Sequence, residues 1–510
     1  MKILFTTVAP LRQGPAGATS DLASARYRVL IPAQQLARLG HQVQLAALPA
    51  DGWPASVTQN PCDVLVISKS FHAENETLAA GMKARGVKVV VDFCDDHFEH
   101  AQHGAHQRKL VELADTVVAS TETMAAAILK HTGREAIVVT DPVEGPRRFP
   151  KFAPQLPALR VLWFGHGSNL NGLVARGAQL KALADVMPVR LTVLTTPSND
   201  SATFVAQFAT SLGIDSSRLR VEYQPWSLEA TWKAFEACDL VWIPVVDGDQ
   251  KAAKSPNRLI EPLWAGRFVV ADPVPSYMPF ADIVPVGQDL AKAVQAALDD
   301  PAGTETRMRE AQRRIARDHS AFECGRRWAA ALGERDARPM RLNLGCGDKI
   351  LPGYVNVDVV EARAGMKPDV ICDLHDLVPF ADATADEILS VHVVEHFWRW
   401  EIRDVLREWV RVLKPGGKMV VECPNLESAC RTFLENPAQF SREDKDGQRT
   451  MWVFYGDPAW KDPLMIHRWG YTPESLRALL ADVGLQDIRQ EPAQFKLREP
   501  RDMRVVGVKP

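Results

Sequence analysis

The feature that most constrains the fold is an alternation of short β-rich runs with helical patterns along the 510-residue chain. This alternation is typical of parallel sheets that are covered by helices. It occurs in three blocks, which begin with the runs KILFTTV, VLWFG and MRLNL. We therefore predict an α/β protein that contains three parallel-sheet domains.

Two breaks in the alternation predict the domain boundaries. The proline-rich stretch Glu144 to Arg160 is typical of a linker. A helical pattern from about Thr304 to Leu332 then ends the second block. We predict domains at residues 1–150, 151–335 and 340–510.

Composition and charge exclude several classes of protein. The net charge is −3, without the basic excess of a protein that binds a nucleic-acid backbone. No apolar run approaches the roughly 18 residues of a membrane span, and MKILFTTVAP fits a buried strand better than a signal peptide. The eight cysteines form no C-x-x-C pair, so no disulfide framework or metal site is predicted. We expect a cytoplasmic protein with at most peripheral contact at the inner face of the membrane.

The third block places ligand-binding residue types after consecutive strands. MRLNLGCG is a strand that ends in a glycine turn, where a ligand can press against the backbone. VNVD ends in Asp358, which can accept hydrogen bonds from ribose hydroxyls. DVICDLHD places Asp373 where a carboxylate can accept from an adenine amino group. Open parallel sheets bind ligands at this end of their strands.

These motifs, together with HVVEH and LKPGG, resemble the class I S-adenosylmethionine-dependent methyltransferases of polysaccharide biosynthesis. Gly345 and Asp358 are only 13 residues apart, too close for the helix whose N-terminus a dinucleotide pyrophosphate needs, and this argues against NAD. The resemblance implies that S-adenosylmethionine is bound by Leu344, Gly345, Cys346, Gly347, Asp358, Asp373, Leu374 and His392.

The HVVEH segment supplies the candidates for chemistry. His392, Glu395 and His396 lie where the transferring methyl is expected, and His467 lies on a later loop. We rank His396 and His467 as the better candidates for the base that takes a hydroxyl proton. The H-x-x-E-H spacing also occurs in zinc hydrolases, but here it follows a strand, so no metal is predicted. The tryptophans form either a sugar-binding wall or ordinary core at Trp398, Trp400, Trp452 and Trp460.

The first two blocks resemble the retaining branch of the GT-B glycosyltransferases, in which two Rossmann-like domains enclose a nucleotide-sugar cleft. The strongest motif is KSPNRLIEPLWAGRFVVADP. A helix N-terminus flanked by cations suits a diphosphate, and a carboxylate one turn later can hold ribose. The resemblance implies a donor site that is formed by Gly165, Gly167, Lys254, Asn257, Arg258 and Glu261.

The motif departs from this family at two positions. Ala253 stands where the family carries a glutamate that contacts the donor sugar, and His166 replaces an arginine. On the acceptor side, the DFCDDHFEH loop offers Asp96 and His97 as acceptor contacts or catalytic residues. In SARYRVL, Arg26 and Arg28 are expected to face phosphate or acceptor, or else solvent as exposed helix arginines.

The leading hypothesis is a bifunctional enzyme of surface-polysaccharide or glycolipid assembly. One part transfers a sugar from a UDP or GDP donor, and the other methylates a hydroxyl of a saccharide or lipid-linked saccharide. The alternative is a methyltransferase whose inactive GT-B part binds carbohydrate. The two departures favour this alternative.

Overall fold

The computed structural model describes residues 1–14, 17–69, 71–154, 158–246, 252–334, 339–438, 442, 448–495 and 501–510. The chain separates into two compact units, Met1–Arg335 and Asp336–Pro510. Among the residues that the structure describes, the first unit contains two large sheets and the second unit contains one. The predicted α/β class is thus confirmed.

The first sheet begins the chain and has six strands within the described residues. All neighbouring strands are parallel, and their order across the sheet is 2-1-3-4-5-6. The strands are Lys2–Thr7, Gln42–Ala47, Val64–Ser68, Lys88–Phe93, Thr116–Ala119 and Ile137–Val138. The α-helices are Ala23–Ala25, Ile31–Arg38, Ala55–Thr58, Ala73–Ala84, Gly104–Leu113 and Glu122–Thr132, with a π-helical turn at Arg26–Leu30.

The second sheet has five described strands in the order 3-2-1-4-5, again all parallel. This order reverses direction beside the first strand, where doubly wound sheets bind ligands. The strands are Leu159–Gly165, Val189–Thr195, Leu219–Pro225, Leu240–Ile243 and Phe268–Ala271. The α-helices are Asn171–Ala175, Gly177–Val186, Asn199–Ser211, Leu228–Ala237, Asn257–Trp264, Leu290–Asp299, Pro301–His319 and Ala321–Ala331.

The helical pattern predicted as one long helix is two helices, so that expectation is wrong. The break lies at Ser320, which has extended backbone (φ −65°, ψ 149°) and whose hydroxyl accepts a hydrogen bond from the N–H of Glu323. Serine is a favoured N-cap because its side chain satisfies an otherwise unpaired helix N–H. The second helix returns to the first sheet, where the fully buried Trp328 packs edge-on against Phe5.

The second unit contains one sheet with seven described strands in the order 3-2-1-4-5-7-6. The seventh strand is antiparallel to both of its neighbours. The strands are Arg341–Leu344, Val355–Asp358, Val370–Ile371, Ala385–Val391, Leu413–Pro424, Gln486–Glu491 and Asp502–Val508. The α-helices are Ile402–Val412, Leu426–Glu435, Met451–Tyr455 and Pro473–Asp482. Within the described ranges, no helix is long and apolar enough to cross a membrane.

Candidate active sites

The glycine turn of the second unit forms a cradle at the end of its first strand. Gly345 has φ +67°, and a Cβ there would lie 2.5 Å from a methyl group of Val393. Gly347 has φ +55° and also requires the left-handed region. Leu344 and Cys346 are buried beneath the turn, and burial raises the pKa of the Cys346 thiol to about 12. The turn therefore presents backbone, not side chains, to a ligand.

Asp358 faces this turn from the end of the second strand. One of its carboxylate oxygens accepts a hydrogen bond of 2.7 Å from the N–H of Gly347, and the other accepts one of 3.2 Å from Val360. Each carboxylate oxygen can accept two hydrogen bonds. Asp358 therefore retains the capacity to bind two vicinal hydroxyls while the backbone holds it in place.

Asp373 and Leu374 follow the third strand and differ in exposure. The carboxylate of Asp373 is half-exposed and accepts hydrogen bonds from the backbone and the ring of His375. The hydrogen bond to Asp373 raises the pKa of His375. Leu374 is buried, and its carbonyl accepts a hydrogen bond from the indole of Trp409. This loop can border a planar group with one apolar and one acceptor-bearing residue.

His392 is held between two buried carboxylates. Its backbone has φ +55°, and its amide donates to the carbonyl of Glu422. Its Nδ1 lies 3.4 Å from Glu395, and its Nε2 lies 3.1 Å from Asp502. Asp502 is a site residue that sequence reasoning missed, because only the fold brings the last strand beside the HVVEH segment. His392 is thus fixed between Glu395 and Asp502.

His396 and His467 converge on Glu395. Their rings meet edge-on with centroids 5.0 Å apart. Nδ1 of His396 lies 3.0 Å from the carbonyl of Ile466, and Nδ1 of His467 lies 2.9 Å from that of Val453. A carbonyl only accepts, so each Nδ1 carries the proton and each Nε2 keeps a lone pair. Burial lowers the pKa of His467, which favours this neutral form.

A pocket of about 500 Å³ lies beside these histidines. It shares Ile466 with the His396 hydrogen bond. Its wall residue Asp462 pairs at 3.1 Å with Arg363, whose side chain passes 3.5 Å from the Cβ position of Gly347. The pocket is lined by Gln448, Met451, Trp452, Tyr455, Gly456, Asp457, Pro458, Lys461, Asp462, Pro463, Met465 and Ile466.

The four candidate tryptophans do not form one wall. Trp398 and Trp400 stack on each other at 4.8 Å and are largely exposed. Trp452 lines the pocket. Trp460 lies under the guanidinium of Arg363 at 5.4 Å.

In the first unit, Arg258 is a partly buried cation without a carboxylate partner among the described residues. It donates to the carbonyl of Phe164 at 2.7 Å and lies over the ring of Trp163, while its Nε has no hydrogen-bond acceptor among those residues. Burial lowers its pKa. The Cβ position of Gly165 is 3.3 Å from its guanidinium. Gly165 and Arg258, two residues of the predicted donor site, thus lie close together, and no carboxylate among the described residues neutralises the charge of Arg258.

The remaining residues of the donor motif are engaged by the protein. Glu261 is buried and accepts a hydrogen bond from the hydroxyl of Tyr27. Burial first, and then the nearby charge of Glu144, raises its pKa to about 8. Asn257 donates to the carbonyl of Pro142 at 2.9 Å. Gly167 lies away from this group, and its N–H donates to the hydroxyl of Thr196.

Lys254 pairs with Asp95, which follows a strand of the first sheet. Burial alone would lower the pKa of Lys254, but attraction and hydrogen bonding to Asp95 outweigh it and the pKa is raised. Lys69 also approaches Asp95, at 3.7 Å. Beside Lys254, Ala253 is buried against the core of the first sheet and its carbonyl accepts from Thr121. A glutamate at position 253 would not fit this packing.

The acceptor-side candidates are placed differently from one another. Asp96 accepts from the N–H of Phe98 two residues later and so stabilises its own turn. His97 is half-buried, burial lowers its pKa, and its Nδ1 lacks a partner among the described residues. Asp95 is the residue of this loop that pairs with Lys254, although the sequence singled out Asp96 and His97.

Arg26 and Arg28 face neither phosphate nor solvent, which corrects both expectations. Arg28 is fully buried and pairs with Asp92 and with Asp141. Arg26 pairs with Glu144. Both arginines therefore serve the structure of the first unit.

Comparison with known proteins supports the prediction of a methyltransferase domain in the second unit. Residues 353–421 match the family model described as "Methyltransferase domain". The chain therefore carries a methyltransferase domain, and the predicted methyltransferase resemblance is confirmed. No curated protein sequence matches the chain significantly.

Several solved structures resemble the chain over its first two thirds. Anabaena HepE in complex with UDP-glucose is 17% identical with a TM-score of 0.49, over 66% of this chain and 100% of that one. A trehalose-6-phosphate structure from E. coli bound with UDP-2-fluoro glucose is 13% identical with a TM-score of 0.48, over 65% and 99%. At TM-scores below 0.5, these likenesses assign no activity to the first unit.

Proposed function

We propose that the second unit transfers a methyl group to a saccharide hydroxyl and that the first unit binds a nucleotide sugar and transfers its sugar. The observation that carries the proposal is the glycine cradle with Asp358, which is linked through Arg363 and Asp462 to a neighbouring pocket. Tethering two activities raises the local concentration of a shared intermediate. We place this enzyme in surface-polysaccharide or glycolipid assembly in the cytoplasm.

The cradle fits S-adenosylmethionine, which supplies a methyl group on a sulfonium when bound. A Cβ at Gly345 would collide with Val393, so the close backbone approach requires glycine there. Asp358 has free acceptor capacity for two ribose hydroxyls. Asp373 and Leu374 border the adenine, the first as acceptor and the second as an apolar contact.

The pocket and its histidines act on the acceptor. Trp452 and Tyr455 offer aromatic surface to the apolar face of a sugar ring. The Nε2 lone pairs of His396 and His467 are available to a hydroxyl. A neutral imidazole is an effective proton acceptor at neutral pH. These residues align the hydroxyl and draw its proton away as the new bond forms.

The test replaces one of these imidazoles and measures binding and turnover separately. His396→Ala is expected to lower methyl transfer about 100-fold, while the Kd for S-adenosylmethionine changes little because the cradle is untouched. Methyl transfer to saccharides is measured with labelled cofactor, and Kd is measured by calorimetry. His103→Ala, on the first unit, is the matched control. Unchanged turnover in His396→Ala would remove this residue from the mechanism.

For the first unit, the unneutralised guanidinium of Arg258 supports a diphosphate-bearing donor. A buried charge without a partner is costly, and an anionic ligand removes that cost. Arg258 lies next to Gly165 at the switch point of the second sheet, where such ligands bind. UDP and GDP conjugates are both candidates for the donor.

A second candidate is a first unit that binds carbohydrate without turnover. It is favoured by the Tyr27 hydroxyl on Glu261 and by the buried Ala253. Hydrolysis or transfer of a UDP- or GDP-sugar by the full chain would exclude it. Nucleotide binding without either reaction would favour it over glycosyl transfer.

A further inference from the structure

Three side chains of the second unit place ligand atoms around one point. Glu395 offers a carboxylate oxygen, and His396 and His467 each offer a ring nitrogen, with all three atoms within 4.8 Å of one another. We propose that these residues bind a divalent transition-metal ion. The metal site lies at the site of the proposed methyl transfer. The role of the ion rests on that proposed function, whereas the binding of the ion does not.

The two imidazoles are oriented as metal ligands usually are. Each donates its Nδ1–H to a backbone carbonyl, from Ile466 and from Val453, at 3.0 and 2.9 Å. Metal-bound histidines almost always use the second nitrogen in this way, because the bond fixes the tautomer and the ring orientation. Both Nε2 atoms therefore keep a lone pair, which is the form that coordinates a metal.

The carboxylate at this point has no hydrogen-bond donor among the described residues, and its nearest imidazole nitrogens are those of His392 at 3.4 Å and His467 at 3.9 Å. The side chain of Glu395 is 2% exposed, and neither oxygen accepts a hydrogen bond within the described part of the chain. Asp502, also fully buried, faces the other side of His392. A bound cation would compensate the charge of a carboxylate that is buried in this way.

The donor set indicates the kind of ion. Two imidazole nitrogens and one carboxylate oxygen suit Zn²⁺ and its first-row neighbours better than Mg²⁺ or Ca²⁺, which prefer oxygen ligands. Three protein ligands leave a further position open. In the proposed role of the ion, an acceptor oxygen takes that position. A metal-bound hydroxyl releases its proton to water more readily, and the histidines then act through the ion.

The test uses the tag-free, full-length chain and Co²⁺ as a spectroscopic substitute for Zn²⁺. The chain is first stripped of metal with a chelator, then loaded with Co²⁺ and dialysed. It is expected to retain one equivalent of Co²⁺ and to show the visible absorption bands of a Co²⁺ ion with a low coordination number. Glu395→Gln and His467→Ala are each expected to weaken Co²⁺ binding by about 100-fold or more, since each removes a ligand. His396→Ala, whose side chain is partly exposed, repeats the test if a buried variant fails to fold.

His106→Ala is the control, because it removes a histidine that lies beside a glutamate in the first unit. Its Co²⁺ binding is expected to equal that of the wild type. Failure of the wild type to bind Co²⁺ or Zn²⁺ stoichiometrically would overturn the proposal, as would equal binding by the three ligand variants. Stoichiometric binding without methyl transfer to any saccharide keeps the metal site and refutes the proposed function. Methyl transfer that survives chelation, without metal binding, does the reverse.

Discussion

We propose that Asp358 and Glu261 each hold the hydroxyls of a ribose, one in each unit, and their surroundings are opposite. Asp358 stands at a strand end, where two backbone N–H groups hold its two oxygens. Glu261 is buried inside a helix, next to a second carboxylate and under the hydroxyl of Tyr27. Asp358 is held by backbone groups and can accept further hydrogen bonds from a ligand. Glu261 would first have to lose its hydrogen bond from Tyr27.

The same contrast extends to the charges around each carboxylate. In the first unit, Lys254 pairs with Asp95, so part of the expected phosphate site is satisfied by protein. Arg258 is the exception, because its charge has no carboxylate partner among the described residues. A site motif can therefore keep its residue types while some of those residues form contacts within the protein.

The largest expected effect tests the carboxylate of Asp358. Asp358→Ala removes the acceptor for two ribose hydroxyls, and charge-assisted hydrogen bonds contribute about 1.5–3 kcal/mol each. The affinity for S-adenosylmethionine is therefore expected to fall by about 100-fold or more, measured by calorimetry. Asp348→Ala, in the same turn, is the control, since that carboxylate pairs with Lys349. Similar Kd values for the two variants would show that Asp358 does not bind the ribose of S-adenosylmethionine.

The next effect tests the unneutralised cation. Arg258→Met is expected to weaken UDP or GDP binding about 30-fold, the value of one charge-assisted hydrogen bond. It is also expected to stabilise the free chain by about 1 kcal/mol, because an unpaired, partly buried charge is removed. Affinity is read by calorimetry, and stability by hydrogen-exchange protection of the helix Asn257–Trp264.

Arg160→Met is the matched variant, because Arg160 pairs with the buried Asp239. It should lose stability and keep nucleotide affinity, the opposite pattern to Arg258→Met. If Arg258→Met destabilised the chain and left nucleotide affinity intact, the cation would be structural and the donor site would lie elsewhere.

The last expected effect is a change of stability with pH. The folded chain keeps the proton on Glu261 up to about pH 8, whereas the unfolded chain releases it near the ordinary value of 4.5. Between these values the folded state binds more protons, so the free energy of unfolding falls as pH rises, by up to about 1.4 kcal/mol per unit. Glu261→Gln should flatten this part of a urea-unfolding profile. Glu236→Gln, which removes an exposed carboxylate paired with Arg148, should leave it unchanged.

Most strands of the three sheets were predictable because they are short apolar runs with their own turn signals, but Gln486–Glu491 and Asp502–Val508 were not predicted. The glycine turn and Asp358 were predictable for the same reason, since their contact joins two consecutive strands. Tyr27 on Glu261 and Asp502 beside His392 were not, because each contact joins segments that are distant in sequence. Ser320 did carry a signal, as a serine three residues before a glutamate, but the apolar spacing across it favoured one helix.

The return of Trp328 to the first sheet has a consequence for synthesis. The last strand of that sheet ends at residue 138, and the helix that carries Trp328 begins at residue 321. At about 5–20 residues per second, a ribosome needs roughly ten to forty seconds to produce the intervening chain. During that interval the hydrophobic surface around Ile3 and Phe5 lacks the part of its cover that Trp328 and its helix supply. The emerging N-terminal segment is therefore a natural client for chaperones until the second sheet has been made.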